Sequence, residues 1–260
     1  MTQLTILSVG ATGSIGSHVV AEALKAGHAV RALVRDRTRG AKLPQGVELV
    51  VGDVTRPETL AAAVEGIDAV VFTLGSDGAG ASGARTIDYG GVRNVLTALK
   101  GRPVRVALMT AIGVTNREGD YNRSTQAPDW KRRSERLVRA SGLDYTIVRP
   151  GWFDYNAADQ HRLVLWQGVR RYTGGPSDGV VARHQIAQVL VESLTSEAAR
   201  RKTFELTAER GPAQTDLEPL FAGLPADLPG TLDGYLDPAN MPLAGESSDV
   251  RHDLEAITPS

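Results

Sequence analysis

The strongest chemical signal in the chain is the run Gly10-Ala11-Thr12-Gly13-Ser14-Ile15-Gly16. It directly follows the apolar segment Leu4 to Val9 and precedes an amphipathic segment that ends at Ala26. A strand, a glycine turn and a helix start in that order can hold a dinucleotide pyrophosphate. Glycine allows the sharp turn and the close approach of backbone to phosphate, and the helix start offers unpaired N–H groups and the positive end of its dipole. The spacing is G-x-x-G-x-x-G rather than G-x-G-x-x-G, so the strand before and the helix after carry the reading more than the glycines alone. The candidate contacts here are Gly10, Thr12, Gly13, Ser14, Ile15 and Gly16.

The far end of such a cofactor is read where the second strand ends. A protein selecting NAD places an acid there, about 20 residues past the glycines, to accept the ribose 2′-hydroxyl; an Arg suits a 2′-phosphate. Arg35 holds that position, with Arg37 and Arg39 close behind and Asp36 as the competing acid. NADP is therefore expected over NAD. Asp53 and Val54 follow the third strand, and Leu74 and Gly75 the fourth, at carboxyl ends where cofactor contacts occur in open sheets. Asp53 is suited to accept from an adenine amino group, and Gly75 to let backbone approach the ribose.

These residues need a scaffold, and the chain has the make-up for one. Its 260 residues are 42% hydrophobic, enough for one sizeable core, and the whole chain is read as a single domain over 1–260. Strands are expected at Leu4 to Val9, Ala29 to Val34, Val47 to Val51, Ala69 to Leu74, Val104 to Met109 and Tyr145 to Val148. Helix-length apolar spacing between them gives repeated βαβ units and a parallel sheet covered on both faces. Thr55 and Glu58 read as a capping box opening a helix that stops at Gly66. A net charge of -1 argues against an electrostatic grip on nucleic acid or an acidic membrane. The absence of cysteine excludes disulfides and thiolate metal sites. No signal peptide or membrane span is read, so a cytoplasmic location is expected.

Four stretches together, Gly10 to Gly16, Ala32-Leu33-Val34-Arg35, Gly52-Asp53-Val54 and Ser141-Gly142-Leu143-Asp144-Tyr145-Thr146-Ile147-Val148-Arg149-Pro150-Gly151, closely resemble the atypical short-chain dehydrogenase/reductases. The likeness is to the NmrA-like NAD(P)-binding branch, which also contains flavin and biliverdin reductases, and it covers about residues 4 to 207. It implies an α/β Rossmann-type doubly wound parallel sheet with NADP in the crevice, a small-molecule substrate, and a small substrate-binding region built from 151–260. The family's usual catalytic pair is a Tyr with a Lys four residues later, the Lys holding the nicotinamide ribose and lowering the phenol pKa. Lys131 matches the Lys, but Ala127 stands at the Tyr position. Thr110 falls where the family's catalytic Ser is expected. The nearest phenols to the expected nicotinamide pocket are Tyr121 and Tyr155, and solvent is the remaining proton source. The plainer reading of Lys131 is a base-rich helix (Arg132, Arg133, Arg136, Arg139) in which Glu135 pairs with Lys131 or Arg139.

After Gly151, Trp152 and Phe153 are expected either to wall the pocket or to join the core. Leu163 to Trp166 and Val169 to Thr173 read as a hairpin around Gln167-Gly168. Asp154, Asp159 and His161 match no ligand spacing, so no metal is expected. Arg183 opens a helix with His184 as a packing or capping residue, and Phe204 to Thr207 is the last strand. From Gly211 onward the tail reads as short helices and loops against the substrate side, a lid or a subunit contact in a monomer or homodimer. Three functions fit: an NADPH-dependent reductase of a small apolar or aromatic acceptor such as a quinone, flavin or carbonyl compound; a non-catalytic NADP(H) sensor; or a non-redox isomerase, cyclase or dehydratase.

Overall fold

The computed structural model describes residues 2–76 and 78–259. The strands are β1 (Thr5–Val9), β2 (Ala29–Val34), β3 (Glu48–Val51), β4 (Ala69–Phe72), β5 (Arg105–Met109), β6 (Tyr145–Pro150), β7 (Trp152–Phe153), β8 (Arg162–Trp166), β9 (Val180–Val181) and β10 (Lys202–Glu209). The helices are α1 (Gly16–Lys25), α2 (Arg37–Gly40), α3 (Gly80–Gly83), α4 (Gly90–Leu99), α5 (Asp120–Thr125), α6 (Ala127–Ala140), α7 (Arg183–Ser193), α8 (Glu218–Ala222) and α9 (Ser248–Ile257), and a π-helical turn over Ala84–Tyr89 joins α3 to α4. The main sheet runs β3-β2-β1-β4-β5-β6-β10-β8, all parallel except β8, which lies antiparallel to β10.

Both faces of this sheet are covered, which is why its central strands read as nearly continuous apolar runs. Successive residues alternate between two cores. Ile6, Val71 and Ala107 face α1 and α7 with Val19, Val20, Ile186 and Leu190. Leu7, Phe72, Val106 and Leu108 face α4, α6 and α9 with Val95, Leu137 and Leu254. Connections from β1 leave over one face and those from β4 over the other, so the carboxyl ends of these neighbours flank a crevice, the place where open α/β sheets bind ligands.

Three local expectations are corrected. Thr55 caps no helix: Asp53 Oδ1 accepts from the Thr55 N–H at 2.9 Å and its hydroxyl at 2.8 Å, and only a short 3-10 turn, Pro57–Thr59, follows. The expected hairpin does not form, because β8 takes β10 as its partner, extending the sheet by one strand. His184 is exposed, and the N-terminus of α7 is closed by Gln185, whose Oε1 accepts from the Ala182 N–H at 3.1 Å. The base-rich face of α6 is largely buried. Arg132, Arg136 and Arg139 are buried, and their partners are Asp227, Asp233, the Asn240 side chain and Glu246 in the tail. The tail therefore straps α6, with α9 docked on α4 and α6, and no tail residue among those described lines the crevice as a lid.

Candidate functional site

The crevice has a volume of about 570 Å³ and is bounded by the loops after β1, β2, β3, β4 and β5. At its centre is the glycine turn. Gly10 has φ +97°, and a Cβ there would sit 2.8 Å from the Thr73 carbonyl oxygen; a Cβ on Gly16 would overlap the Gly10 carbonyl. Both positions are thus closed to side chains because the turn presses on β4 and α1 presses on the turn. The Gly13 N–H donates to the Gly10 carbonyl at 2.9 Å and closes the loop. Thr12, Gly13 and Ser14 remain exposed, Ile15 is buried, and α1 has no side-chain cap. An uncapped helix start behind an exposed glycine loop fits a pyrophosphate.

At one end of the crevice lie Arg35, Arg39, Asp53 and Val54. Arg35 is exposed and makes no ion pair among the described residues. Asp36 is committed elsewhere: its Oδ1 accepts from the Thr38 hydroxyl and the Arg39 N–H, bonds that, with the Arg39 charge, hold its carboxyl below the usual range. The loop after β3 is fixed from behind by Asn94, whose Nδ2 donates to the Val54 carbonyl at 2.7 Å. Gly91 lets α4 approach this loop, since a Cβ there would meet the Leu74 and Val54 side chains.

At the other end the lining is Leu74, Gly75, Ile87, Met109, Thr110, Ala111, Tyr121, Ala127, Lys131 and Phe153. Lys131 Nζ lies 2.7 Å from Asp88 Oδ1 and 3.4 Å from the Leu74 carbonyl. Thr110 does not offer its proton to the crevice: its hydroxyl donates to Glu135 Oε1 at 2.7 Å. Tyr121 lines the crevice but is 65% exposed. Tyr155, 64% exposed, lies outside the lining and stands edge-on to Trp152 with ring centroids 6.2 Å apart. Of the residues just after β6, Phe153 is the one that reaches the crevice, steadied by the Arg183 guanidinium 5.4 Å from its ring centre. Asp154 is taken by Arg183, and among the described residues no group of three His, Cys, Asp or Glu side chains is placed to hold a metal.

A family model described as NAD(P)H-binding matches residues 10–197. The chain belongs to this NAD(P)H-binding family. That agrees with its resemblance to the NmrA-like branch of the atypical short-chain dehydrogenase/reductases. Sanguinarine reductase of Eschscholzia californica is 27% identical over 264 residues, covering 85% of this chain and 96% of that one. Photosystem II assembly factor Ycf39 of Synechocystis is 25% identical over 217 residues, covering 82% of this chain, which spans only 65% of that relative. A Bacillus halodurans protein provisionally named an NAD-dependent epimerase/dehydratase superposes with TM-score 0.72 at 25% identity, over 85% of this chain and 100% of that one.

In this NAD(P)H-binding chain, sequence reasoning missed the polar residues behind the lining. Glu135, fully buried, accepts from Thr110, from Arg149 Nη2 at 2.6 Å and from Arg149 Nε at 2.9 Å, and so leaves Lys131 free for Asp88. Arg149 is itself buried inside β6. The available signal was its position: an Arg in the otherwise apolar strand Tyr145–Pro150 demands a buried acid. Among the described residues no helix is long and apolar enough to cross a membrane.

Proposed function

We propose that the chain is an NADPH-dependent reductase of a small apolar or aromatic acceptor. The observation that carries the reading is the polarity of the crevice from end to end. Arg35 and Arg39 flank one end, the uncapped start of α1 faces the middle, and Met109, Ala111, Tyr121 and Phe153 make an apolar and aromatic far end around a single ammonium, Lys131. Gly10, Thr12, Gly13, Ser14, Ile15 and Gly16 would hold the pyrophosphate. Arg35 would take the 2′-phosphate, Asp53, Val54, Leu74 and Gly75 would border the adenosine and ribose, and Lys131 would hold the second ribose. Bound there, the nicotinamide supplies a hydride. The protein's part is to exclude water with Phe153 and Met109, to orient through Lys131, and to leave protonation to Tyr121 or solvent. An acceptor such as a quinone or flavin needs little acid catalysis at the hydride step. The likeness to sanguinarine reductase supports this class.

A second reading, a sensor of NADP(H) that performs no chemistry, is favoured by two features. Ala127 occupies the position of the family's Tyr, and the Thr110 hydroxyl is turned onto Glu135. Calorimetric titration with NADPH and NADH, followed by NADPH oxidation across a panel of quinones, flavins and aromatic carbonyls, separates these readings. Tenfold tighter NADPH binding, a gap of about 1.4 kcal/mol, with turnover supports the reductase. Tight binding without turnover on any acceptor supports the sensor, and binding of neither nucleotide rejects both.

A further inference from the structure

Among the described residues Lys131 is the one cation lining the far end of the crevice, and its surroundings are more specific than a helix surface requires. Asp88, whose side chain is 1% exposed, meets its ammonium at 2.7 Å, and the Leu74 carbonyl stands 3.4 Å away on the cleft side. An ammonium has three protons to donate. Two point at these fixed acceptors, so the third is aimed by geometry instead of being free to rotate.

Asp88 sits there because of an irregularity in the backbone. The stretch Ala84–Tyr89 is a π-helical turn between two α-helical segments, a feature that adds a residue to the turn and often marks functional sites. Its consequence here is that consecutive residues face different tasks: Ile87 lines the crevice, Asp88 meets Lys131, and Tyr89 packs on Trp130 with ring centroids 5.3 Å apart. Tyr89 beside Trp130 and Asp88 beside Lys131 form adjacent contacts between the same two elements, so the aromatic pair fixes the register of the ionic one. Asp88 Oδ2 is buried with no partner. A half-satisfied buried carboxylate is costly and is not what packing alone would select.

We infer that Asp88 is a positioning residue for Lys131: through the π turn it holds the ammonium against the Leu74 carbonyl so that one N–H projects into the crevice toward a ribose hydroxyl of the bound nucleotide. The inference rests on the cofactor reading above, but the pairing itself is testable without a nucleotide. The first measurement is lysine acetylation of the cofactor-free protein with an N-hydroxysuccinimide ester, followed peptide by peptide by mass spectrometry. Lys42 and Lys100, both exposed, serve as internal references.

Lys131 is expected to react about tenfold more slowly than the references in the wild-type chain, to speed up by about that factor in Asp88→Asn, and to stay slow in Asp88→Glu. The second measurement is NADPH affinity by fluorescence. Asp88→Asn and Lys131→Met should each weaken it about tenfold, and the double variant by the same factor rather than a hundredfold, because one residue acts through the other. A Lys131 rate equal to the references in the wild type, an unchanged rate in Asp88→Asn, or additive losses in the double variant would overturn the inference. If Asp88→Asn does not fold, Asp88→Glu decides: reference-like labelling there is equally fatal. Failure of the wild type to bind any nicotinamide nucleotide would instead overturn the cofactor reading, while the labelling results would still judge the pair.

Discussion

At the glycine turn a single methyl separates folding from binding. Gly16→Ala forces a Cβ onto the Gly10 carbonyl, and Gly10→Ala adds one beside the Thr73 carbonyl at an unfavourable φ of +97°. Each should cost about 1–3 kcal/mol in urea unfolding, because backbone rather than a flexible side chain must yield. Gly13→Ala is different. Its Cβ meets only the Gly10 carbonyl oxygen, at 3.2 Å, on an exposed surface. It should unfold within about 1 kcal/mol of wild type, yet bind NADPH more weakly, because the methyl covers backbone that a phosphate must approach. Arg35→Ala should weaken NADPH by about tenfold and leave NADH unchanged by calorimetry; an equal loss for both nucleotides would remove Arg35 from the phosphate role. These residues were legible in the sequence because their setting is local, within a few residues of a strand end.

Helix α6 joins the crevice to the tail, and substitutions on it and at Thr110, which donates to its Glu135, should separate the two roles. Thr110→Val deletes a hydroxyl whose proton goes to Glu135, leaving that carboxylate its two bonds from Arg149. The expected loss is about 1 kcal/mol of stability. Turnover in any reductase assay should be preserved, since the hydroxyl donates away from the crevice; a large fall in kcat would restore Thr110 as a catalytic candidate. Glu135→Ala removes one carboxylate from Arg149 and from Arg139 but leaves Asp237 and Glu205 to the first and Asp227 to the second, and should cost about 1–3 kcal/mol in denaturant unfolding. The strands were readable because both faces are buried, so apolar runs and elements coincide. The arginines of α6 were not, because their acids lie far along the chain: Arg136 meets Asp233 and Glu246 at separations of 97 and 110 residues. Local charge pairing yielded the Glu135–Arg139 contact, and tertiary pairing supplied the remaining acids that bury these arginines. The hairpin failed for the same reason, since β10 was a better partner for β8 than its sequence neighbour, whereas Thr55 failed locally, its N–H and hydroxyl both going to Asp53 two residues back.

At the scale of the whole molecule, the tail reaches the buried interior of the sheet at Arg149. This guanidinium contacts three carboxylates: Glu135 at 2.6 Å, Asp237 at 2.6 Å and Glu205 at 3.1 Å. They do not share it equally. Burial opposes ionisation of Asp237, but the Arg149 charge and hydrogen bonds outweigh it and hold that carboxyl well below its ordinary range. At Glu205 burial wins over Arg149 and pushes the carboxyl up, consistent with its unpartnered Oε2. The two acids must therefore give stability opposite slopes with pH. Asp237 contributes above the unfolded carboxyl pKa of about 3.9, and that contribution is lost as pH falls through its depressed folded value. Because the Glu205 carboxyl is raised in the folded chain, its presence costs stability as pH climbs from the unfolded carboxyl pKa of about 4.3 through its own raised value. Thermal melts should then show Asp237→Asn losing a nearly constant amount from about pH 8 down to pH 4 and converging on wild type only in stronger acid, below the unfolded carboxyl pKa of about 3.9. Glu205→Gln, an uncharged stand-in for the protonated acid, should match wild type near pH 4 and exceed it once the pH has risen above the unfolded carboxyl pKa of about 4.3. A Glu205→Gln protein less stable than wild type at pH 8 would mean that Glu205 is ionised and that Arg149 anchors three charges instead of two.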